Sequence, residues 1–417
     1  MQLTLGNKIK QLRKEKRLTQ GELAGEGLSR TMLSKLENDL AKPSLKTIEY
    51  LASKLSVPVA YFTDEDTHQH PSTFDKQLVH ISRMLNKSEY ESIYTFIEET
   101  LSQHEPDGSE AEGVLLLFFS IACQNTGRMK ESYRYLLEAK TILEQNNSFY
   151  YLAKVHHHLA ICFFDRGDHE NDEEHSFLAI QYLNQSLIVD TIMEMNCYYN
   201  LAYARMLRGK YGAAILALEE ALEIEKERKT HSRTADIYML LGYLFEKSND
   251  HNKSIDASRE ASRYYGFEGN RKMQFRSLGN LANVFTKTKQ YAKAVPIYKA
   301  IFNYELNHGT EQSISESANE LVLCMYMNNP EDDPTPYYSR VIPSLLSERD
   351  QQFSSFGQAW LHFQNGQFAD AITILEPFLH YDENHLQYIG GKLLTACYSS
   401  AENYKKAFEV LSMIDSL

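Results

Sequence analysis

The sequence predicts an all-α protein, in which a small N-terminal helix-turn-helix domain is followed by a right-handed superhelix of paired helices. Near the N-terminus, two short helical segments that each begin with a hydroxyl residue are separated by a turn containing Gly25 and Gly27. After about residue 73, helical segments of roughly 15–20 residues follow one another, with polar breaks and no convincing strand-like alternation. The change of pattern indicates two domains.

The N-terminal segments carry signals that start helices. Thr19 precedes Glu22 by three residues, which is the spacing of a capping box. Ser29 is placed to cap the segment that follows the turn. Two short helices joined by a tight turn are the arrangement that puts the second helix into a DNA major groove. We therefore expect residues 1–63, called the head below, to bind DNA.

The second of these segments has an apolar and a polar side. Leu33 and Leu36 should face the core, whereas arginine and lysine on the other side suit guanine and the threonine methyl group suits thymine. Polar side chains at helix N-termini suit phosphate oxygens. The residues predicted to contact double-stranded DNA are Gln20, Ser29, Arg30, Thr31, Ser34 and Lys35. A degenerate motif used for protein contact is the alternative.

The charge distribution favours DNA contact through one end of the chain. The 417 residues carry a net charge of −13, which alone argues against nucleic acid. Residues 1–62 nevertheless hold eleven Lys or Arg and six Asp or Glu, a balance of +5, which leaves −18 for the remainder. A small basic module on a large acidic body suits binding through the head.

Hydropathy and cysteine usage bound the environment of the protein. No run of 18 or more apolar residues occurs, so neither a transmembrane helix nor a membrane partner is expected. The five cysteines stand singly in apolar helical stretches, and we interpret them as reduced core thiols of a cytoplasmic protein. The polar stretch of residues 64–72 is interpreted as a linker to a repeat domain of residues 73–417.

No catalytic motif or metal-ligand pattern is recognisable, so we expect neither an enzyme nor a cofactor. His68 and His70 lie in the linker without partner cysteines. His156, His157 and His158 are adjacent, and neighbouring helical residues point about 100° apart, so the three cannot converge on one metal ion. We expect His156 to pack in the core and the other two to reach a concave surface.

A forty-residue repeat runs through the second domain. The small residues Ala202, Gly242 and Ala282 are forty positions apart, each within a similar pattern of apolar residues. This is the tetratricopeptide pattern, in which small residues let the two helices of a pair approach closely. Because the usual period is about thirty-four residues, we expect longer helices or extended loops, with about eight or nine pairs after residue 73.

The first helix of each pair should line the concave face of the superhelix. Asparagine is a poor helix former, yet Asn200 and Asn280 recur at the same repeat position. One side-chain amide can pair with both polar groups of a peptide unit, so the pattern predicts a site for a short linear peptide. The predicted peptide-binding residues are Asn196, Tyr199, Asn200, Tyr203, Asp236, Tyr243, Arg276, Asn280, Asn283 and Lys287. Simple tolerance of asparagine on a solvated surface is the alternative.

The N-terminal residues also resemble a known family. About the first 62 residues resemble the Cro/C1-type helix-turn-helix through Gln20-x-x-Leu23-Ala24, Leu28-Ser29-Arg30-Thr31-x-Leu33-Ser34-Lys35-Leu36-Glu37 and Ile48-x-x-Leu51-Ala52. With a tetratricopeptide body, the whole chain is similar to the RRNPP family of Firmicutes (Rap, Rgg, NprR, PlcR and PrgX), and in length to its NprR branch. The resemblance implies a cytosolic quorum-sensing transcription regulator, switched by a short re-imported signalling peptide.

The same resemblance leaves a second function open. A protein-interaction module of the Rap type would bind or dephosphorylate a phosphorelay response regulator in sporulation control, with the peptide as inhibitor.

For the transcription regulator, one head contacts only half of a two-fold symmetric site, so a homodimer or higher homo-oligomer is expected. The tyrosine-rich C-terminal repeats, including Tyr398 and Tyr404, are the candidate interface.

Overall fold

The structure is a computed structural model that describes residues 4–25, 28–41, 43, 45–55, 57, 60–63, 73–85, 87–103, 105–186, 188–228, 233–380 and 384–414. Every regular element in these ranges is a helix, which confirms the predicted fold class. The predicted linker, residues 64–72, lies outside them. Contacts group the chain into two compact units, Met1–Ile237 and Tyr238–Leu417.

The described residues of the head form five short helices, and their apolar side chains share one core. Leu23, Leu33, Leu51 and Leu55 are completely buried in it. Thr4 caps the first helix, which begins at Leu5. The helices are α1 (Leu5–Glu15), α2 (Gln20–Ala24), α3 (Arg30–Glu37), α4 (Leu45–Leu55) and α5 (Ala60–Thr63).

Paired helices make up the rest of the first unit. Within it α8 packs against α9, α10 against α11, and α12 against α13. None of the described helices combines the length and the apolar character that crossing a membrane requires. The helices are α6 (Thr73–Leu85), α7 (Tyr90–Gln103), α8 (Glu110–Asn125), α9 (Met129–Gln145), α10 (Phe149–Asp165), α11 (His169–Gln185), α12 (Thr191–Leu207), α13 (Tyr211–Arg228) and α14 (Thr234–Lys247), the last of which continues into the second unit.

Longer helices, and not longer loops, account for the forty-residue period. Helices α9, α10, α11 and α12 each have 17 residues, and the turns inside the pairs are short. Each such turn contains one residue in the left-handed backbone region, where glycine carries no Cβ penalty. In the pairs between α8 and α17 these residues are Gly127, Gly167, Gly209, Asn249 and Lys289, with φ between 57° and 79°.

The second unit continues the helix pairs. Its core includes the completely buried Trp360, whose Nε1 donates a hydrogen bond to the Pro330 carbonyl oxygen at 3.1 Å. The elements are α15 (His251–Phe267), α16 (Arg271–Lys287), α17 (Tyr291–His308), α18 (Glu311–Asn328), α19 (Thr335–Tyr338), α20 (Glu348–Gln364), α21 (Phe368–Leu375), α22 (Asn384–Ser400) and α23 (Tyr404–Ile414), with 3-10 helices at Pro343–Leu345 and Glu376–His380.

Small residues sit where helices approach most closely, as the repeat predicts. Ala202 and Ala282 are fully buried. At Gly242 the Ser254 hydroxyl donates a hydrogen bond to the glycine carbonyl at 2.7 Å, and a Cβ there would lie 2.8 Å from the Ser258 Oγ. All five cysteines are buried and free, in agreement with their interpretation as core thiols.

The predicted C-terminal interface needs a correction. Tyr398 is only 5% exposed and its hydroxyl donates a hydrogen bond to Glu376 Oε1, so this side chain belongs to the core and cannot contact a partner. Tyr404 is 68% exposed at the start of α23 and stays available. The repeat pattern does not show which tyrosine is buried: Tyr398 lies on the buried face of α22, whereas Tyr404 lies on the outer face of α23.

Candidate nucleic-acid interface and ligand pocket

Both predicted helix caps of the head are present. The Thr19 hydroxyl accepts a hydrogen bond from the Glu22 backbone N–H at 3.2 Å, while the Glu22 carboxylate accepts one from the Thr19 N–H at 2.6 Å. The Ser29 hydroxyl accepts from the Met32 N–H at 3.1 Å and so fixes the start of α3. The hydroxyl proton of Ser29 remains available for a phosphate oxygen.

Helix α3 presents the polar face that its spacing predicts. Arg30, Thr31 and Lys35 are exposed at its surface, and Ser34 is half-buried between them. Leu33 and Leu36 point into the core on the other side. A surface with two cations and a methyl-bearing hydroxyl can donate to guanine and contact thymine in a major groove.

A buried ion pair, which sequence reasoning missed, ties α3 to α1. Glu37 is 1% exposed; Arg13 binds both of its oxygens, with Nη2 to Oε2 at 3.0 Å, and also donates to the Leu18 carbonyl oxygen at 2.9 Å. Gln20 Nε2 donates to Glu37 Oε2 at 2.9 Å. Burial alone would raise the pKa of Glu37, but the hydrogen bonds from Arg13 and Gln20 hold it below its usual value.

This arrangement gives Arg13 a structural role and changes the interpretation of Gln20. Arg13 lies among the basic residues of the first helix, yet it supports the fold instead of facing solvent. Gln20, predicted to contact phosphate, already uses part of its amide inside the head. The available signal was that Glu37 follows the buried Leu33 by four residues, which puts an acid on the buried face of α3.

In the repeat domain, a cavity of about 320 Å³ opens between α10, α11 and α12. Three of its lining residues, Tyr199, Asn200 and Tyr203, belong to the predicted peptide-binding set. The others are Ile161 and Phe164 of α10 and Asp172 of α11. The structure therefore brings three predicted residues of one helix together and adds side chains from the preceding pair.

A polar ladder joins the first helices of three successive pairs beside this cavity. Asn200 Nδ2 lies 3.5 Å from His157 Nδ1, and His158 Nδ1 lies 2.7 Å from Gln124 Oε1. Burial, with the nearby cations Arg233 and Lys154, lowers the pKa of His157 to about 4, so its ring is neutral and can accept from Asn200. The long contact places the Asn200 amide beside the neutral His157 ring.

The remaining histidine of the run, His156, packs in the core, as expected. His156 is 2% exposed, and its Nδ1 lies 2.8 Å from His175 Nδ1 on α11. Burial, with His175 and Lys140, lowers the pKa of His156 to about 3. Within the described residues, no three His, Cys, Asp or Glu side chains form a group that could hold a metal ion.

The remaining predicted peptide-binding residues have varied surroundings. In the first unit, Asn196 is half-buried on α12, and Asp236 contributes to the electrostatic environment of Tyr199. In the second unit, Asn280 is half-buried on α16. Tyr243 contacts Lys247, Asn283 contacts Tyr298, and Lys287 contacts Glu246. Arg276 is exposed.

Comparison with family models and a curated relative identifies the head. Residues 9–62 match the family described as helix-turn-helix, and residues 183–330 match the family described as soluble NSF attachment protein, SNAP. The immunity repressor protein of Bacillus phage phi105 is 42% identical over 66 residues, which cover 16% of this chain and 46% of the repressor. The chain thus spans about half the length of that relative.

Solved structures resemble the chain over a greater length. The apo form of RapI superposes with a TM-score of 0.53 at 13% identity, over 95% of this chain and 99% of RapI. PlcR of Bacillus thuringiensis, in complex with the peptide PapR7 and DNA, gives a TM-score of 0.41 at 19% identity, over 66% of this chain and 99% of PlcR. The RapI likeness confirms the expected fold, an all-helical chain built of repeated helix pairs.

Proposed function

We propose that this protein is a cytosolic, peptide-responsive transcription regulator, on the premise that it carries a helix-turn-helix head of the matched family on a helical-repeat body. The head binds duplex DNA, the cavity between α10 and α12 binds part of a short linear peptide, and the peptide changes the affinity for DNA. The observation that carries this proposal is the cavity lined by Tyr199, Asn200 and Tyr203 in a chain whose α3 presents a polar face at the surface.

The DNA-binding role rests on the contrast between engaged and available polar residues in the head. Arg13 and Gln20 are held by Glu37, whereas Arg30 and Lys35 lie at the surface of α3. Base readout through α3 is therefore proposed, with Ser29 and the backbone at the N-terminus of α3 on phosphate. Two heads are needed for a two-fold symmetric site, so the DNA-bound form is proposed to be at least a dimer.

The peptide-binding role rests on size and polarity. Small-ligand sites enclose about 300 Å³ or more, so this cavity suits one or two side chains of a peptide. The Asn200 amide, which lies beside His157, would pair with the adjoining peptide group. The predicted residues outside the cavity, namely Asn196, Asp236, Tyr243, Arg276, Asn280, Asn283 and Lys287, are proposed to contact the rest of the peptide.

A protein-interaction module of the Rap type is the second candidate, favoured by the shared fold with RapI over nearly the whole chain. Such a module would need neither the cations of α3 nor the head's positive charge. A response-regulator partner is accordingly proposed only as a second role.

Selection from random DNA tests the proposed function. The full-length protein is incubated with a pool of random-sequence duplexes about three helical turns long, and retained duplexes are sequenced over several rounds. We expect a two-fold symmetric motif to be enriched, and an Arg30→Ala/Lys35→Ala variant to enrich none. Retention of duplexes without any sequence preference by the wild type would contradict sequence-specific regulation.

A further inference from the structure

The cavity contains a buried acid that no neighbouring cation neutralises among the described residues. Asp172 is 3% exposed and lines the cavity from α11. Its hydrogen bond from Ser176 Oγ to Oδ1 is long, at 3.4 Å. The nearby cations Arg205, Arg208 and Lys210 pair with Glu173 instead. Within the part of the chain that the structure describes, the Asp172 carboxyl group therefore faces the cavity without a counter-ion.

Aromatic rings line the same cavity as this acid. The Phe164 and Tyr203 rings meet edge to face with centroids 5.7 Å apart, and Tyr203 stacks on Tyr199 at 6.2 Å. Arg233 already lies over the Tyr199 ring at 4.8 Å, so the ring surface offered to a ligand is that of Phe164 and Tyr203. Aromatic faces attract cations, and a carboxylate beside them adds a direct charge partner.

The charge state of the cavity fits an incoming cation. Burial raises the pKa of Asp172 to about 7; the hydrogen bond from Ser176 opposes this rise, and the carboxylates Asp168 and Glu173 add to it. A buried carboxylate without a partner is costly, and a ligand cation removes that cost. Binding a cation would therefore release a proton and become stronger as the pH rises through neutrality.

We propose that this cavity binds an alkylammonium or guanidinium group of the peptide ligand, with Asp172 as its counter-ion and Phe164 and Tyr203 as its walls. This inference rests on the proposed function, in which the ligand is a peptide, and names the chemistry that selects it. The cation is either the N-terminal amine of the peptide or a lysine or arginine side chain.

Synthetic heptapeptide pools separate these sources. One pool has free N-termini with lysine and arginine, a second has free N-termini only, and a third has acetylated N-termini with lysine and arginine. The fourth pool has neither cation and carries norleucine and citrulline in place of the basic residues. Full-length protein is equilibrated with each pool slightly above neutral pH, and peptides retained by ultrafiltration are quantified by mass spectrometry.

The wild type should retain the fourth pool at least about tenfold less than the first. Retention of the second or the third pool identifies which cation is bound. Asp172→Asn should remove the preference, while Glu174→Gln, which loses the same charge elsewhere on α11, should keep it. Equal retention of the first and fourth pools would overturn the subsite while leaving peptide binding intact. Retention of no pool would overturn peptide binding and the subsite together.

A measurement without ligand checks the unpaired acid itself. Because the folded-state pKa of Asp172 is raised from 3.8 to about 7, the folded protein binds the proton more tightly than the unfolded chain does. Wild-type stability should therefore fall relative to Asp172→Asn as the pH rises through this interval. Parallel melting temperatures of the two proteins across the same interval would show that Asp172 is already neutralised and would overturn the proposal.

Discussion

The head and the repeat domain each bury an acid, and the two acids have opposite surroundings. Glu37 accepts hydrogen bonds from Arg13 and Gln20, and its pKa is held below the usual value. Asp172 has only a long hydrogen bond from Ser176 among the described contacts, and its pKa is raised to about 7. A fully paired buried acid fixes local geometry, whereas an unpaired one beside a cavity indicates a place for a ligand.

The largest expected effect on stability comes from removing the cation that pairs with Glu37, which leaves Glu37 unpaired as Asp172 is. Arg13→Ala leaves a buried carboxylate without its partner and should destabilise the head by about 3–5 kcal/mol. Lys14→Ala, at an exposed position of the same helix, is the control and should change little. Chemical denaturation followed by circular dichroism gives both values. An Arg13→Ala variant as stable as the wild type would mean that the Arg13–Glu37 pair is not needed.

The next effect concerns the cations that this pairing leaves available. Arg30→Ala and Lys35→Ala should each weaken binding to the selected duplex by about 1–3 kcal/mol, because each removes a base contact. Arg17→Ala removes an exposed cation of the head outside α3 and should cost less, without altering the sequence preference. Fluorescence anisotropy measures the affinities. An Arg17 effect as large as the α3 effects would assign the interface to another face.

The contrast between filled and open surroundings applies to glycines as well. Gly242→Ala introduces a Cβ 2.8 Å from Ser258 Oγ and should destabilise the protein by about 1–3 kcal/mol. Gly279→Ala in α16 meets nothing within 4 Å. It should stabilise by about 0.5–1 kcal/mol, since alanine is the better helix former. Urea denaturation compares the two variants, and destabilisation by both would contradict the assigned packing.

A further expected effect separates the two repeated asparagines. Asn200→Ala should weaken a retained heptapeptide by about 1–2 kcal/mol, because Asn200 lines the cavity and its amide can pair with a peptide group. From the repeat alone an equal loss is predicted for Asn280→Ala, but Asn280 does not line this cavity, which favours a smaller one. Calorimetry with the same peptide decides between them. Wild-type affinity in the Asn200 variant would show that the amide does not contact the peptide.

Local and periodic features of this chain were predictable, but its tertiary polar contacts were not. The caps at Thr19 and Ser29 depend on residues three positions away, so spacing alone located them. The period located Ala202 and Gly242 because close helix approach needs small residues at fixed intervals. The partner of Arg13, in contrast, lies 24 residues away, and no local pattern connects the two residues.

The burial of Asp172 could have been predicted from its spacing on α11. Asp172 lies on the same helical face as Ser176, Ala179 and Leu183, all of which are buried. An acid on an apolar stripe indicates a buried carboxyl group, yet its neighbours from α10 and α12 depend on how the pairs stack. The two repeated asparagines illustrate the same limit, because a repeat position specifies the helix face and not the side chains opposite it.

The most direct test measures the coupling between the cavity and the head. Full-length protein is titrated into the selected duplex, with and without a saturating peptide retained from the cation-containing pool. We expect the peptide to change the Kd for DNA by about fivefold or more, and Asp172→Asn to reduce this change at the same peptide concentration. An identical Kd with and without saturating peptide would contradict peptide-responsive regulation.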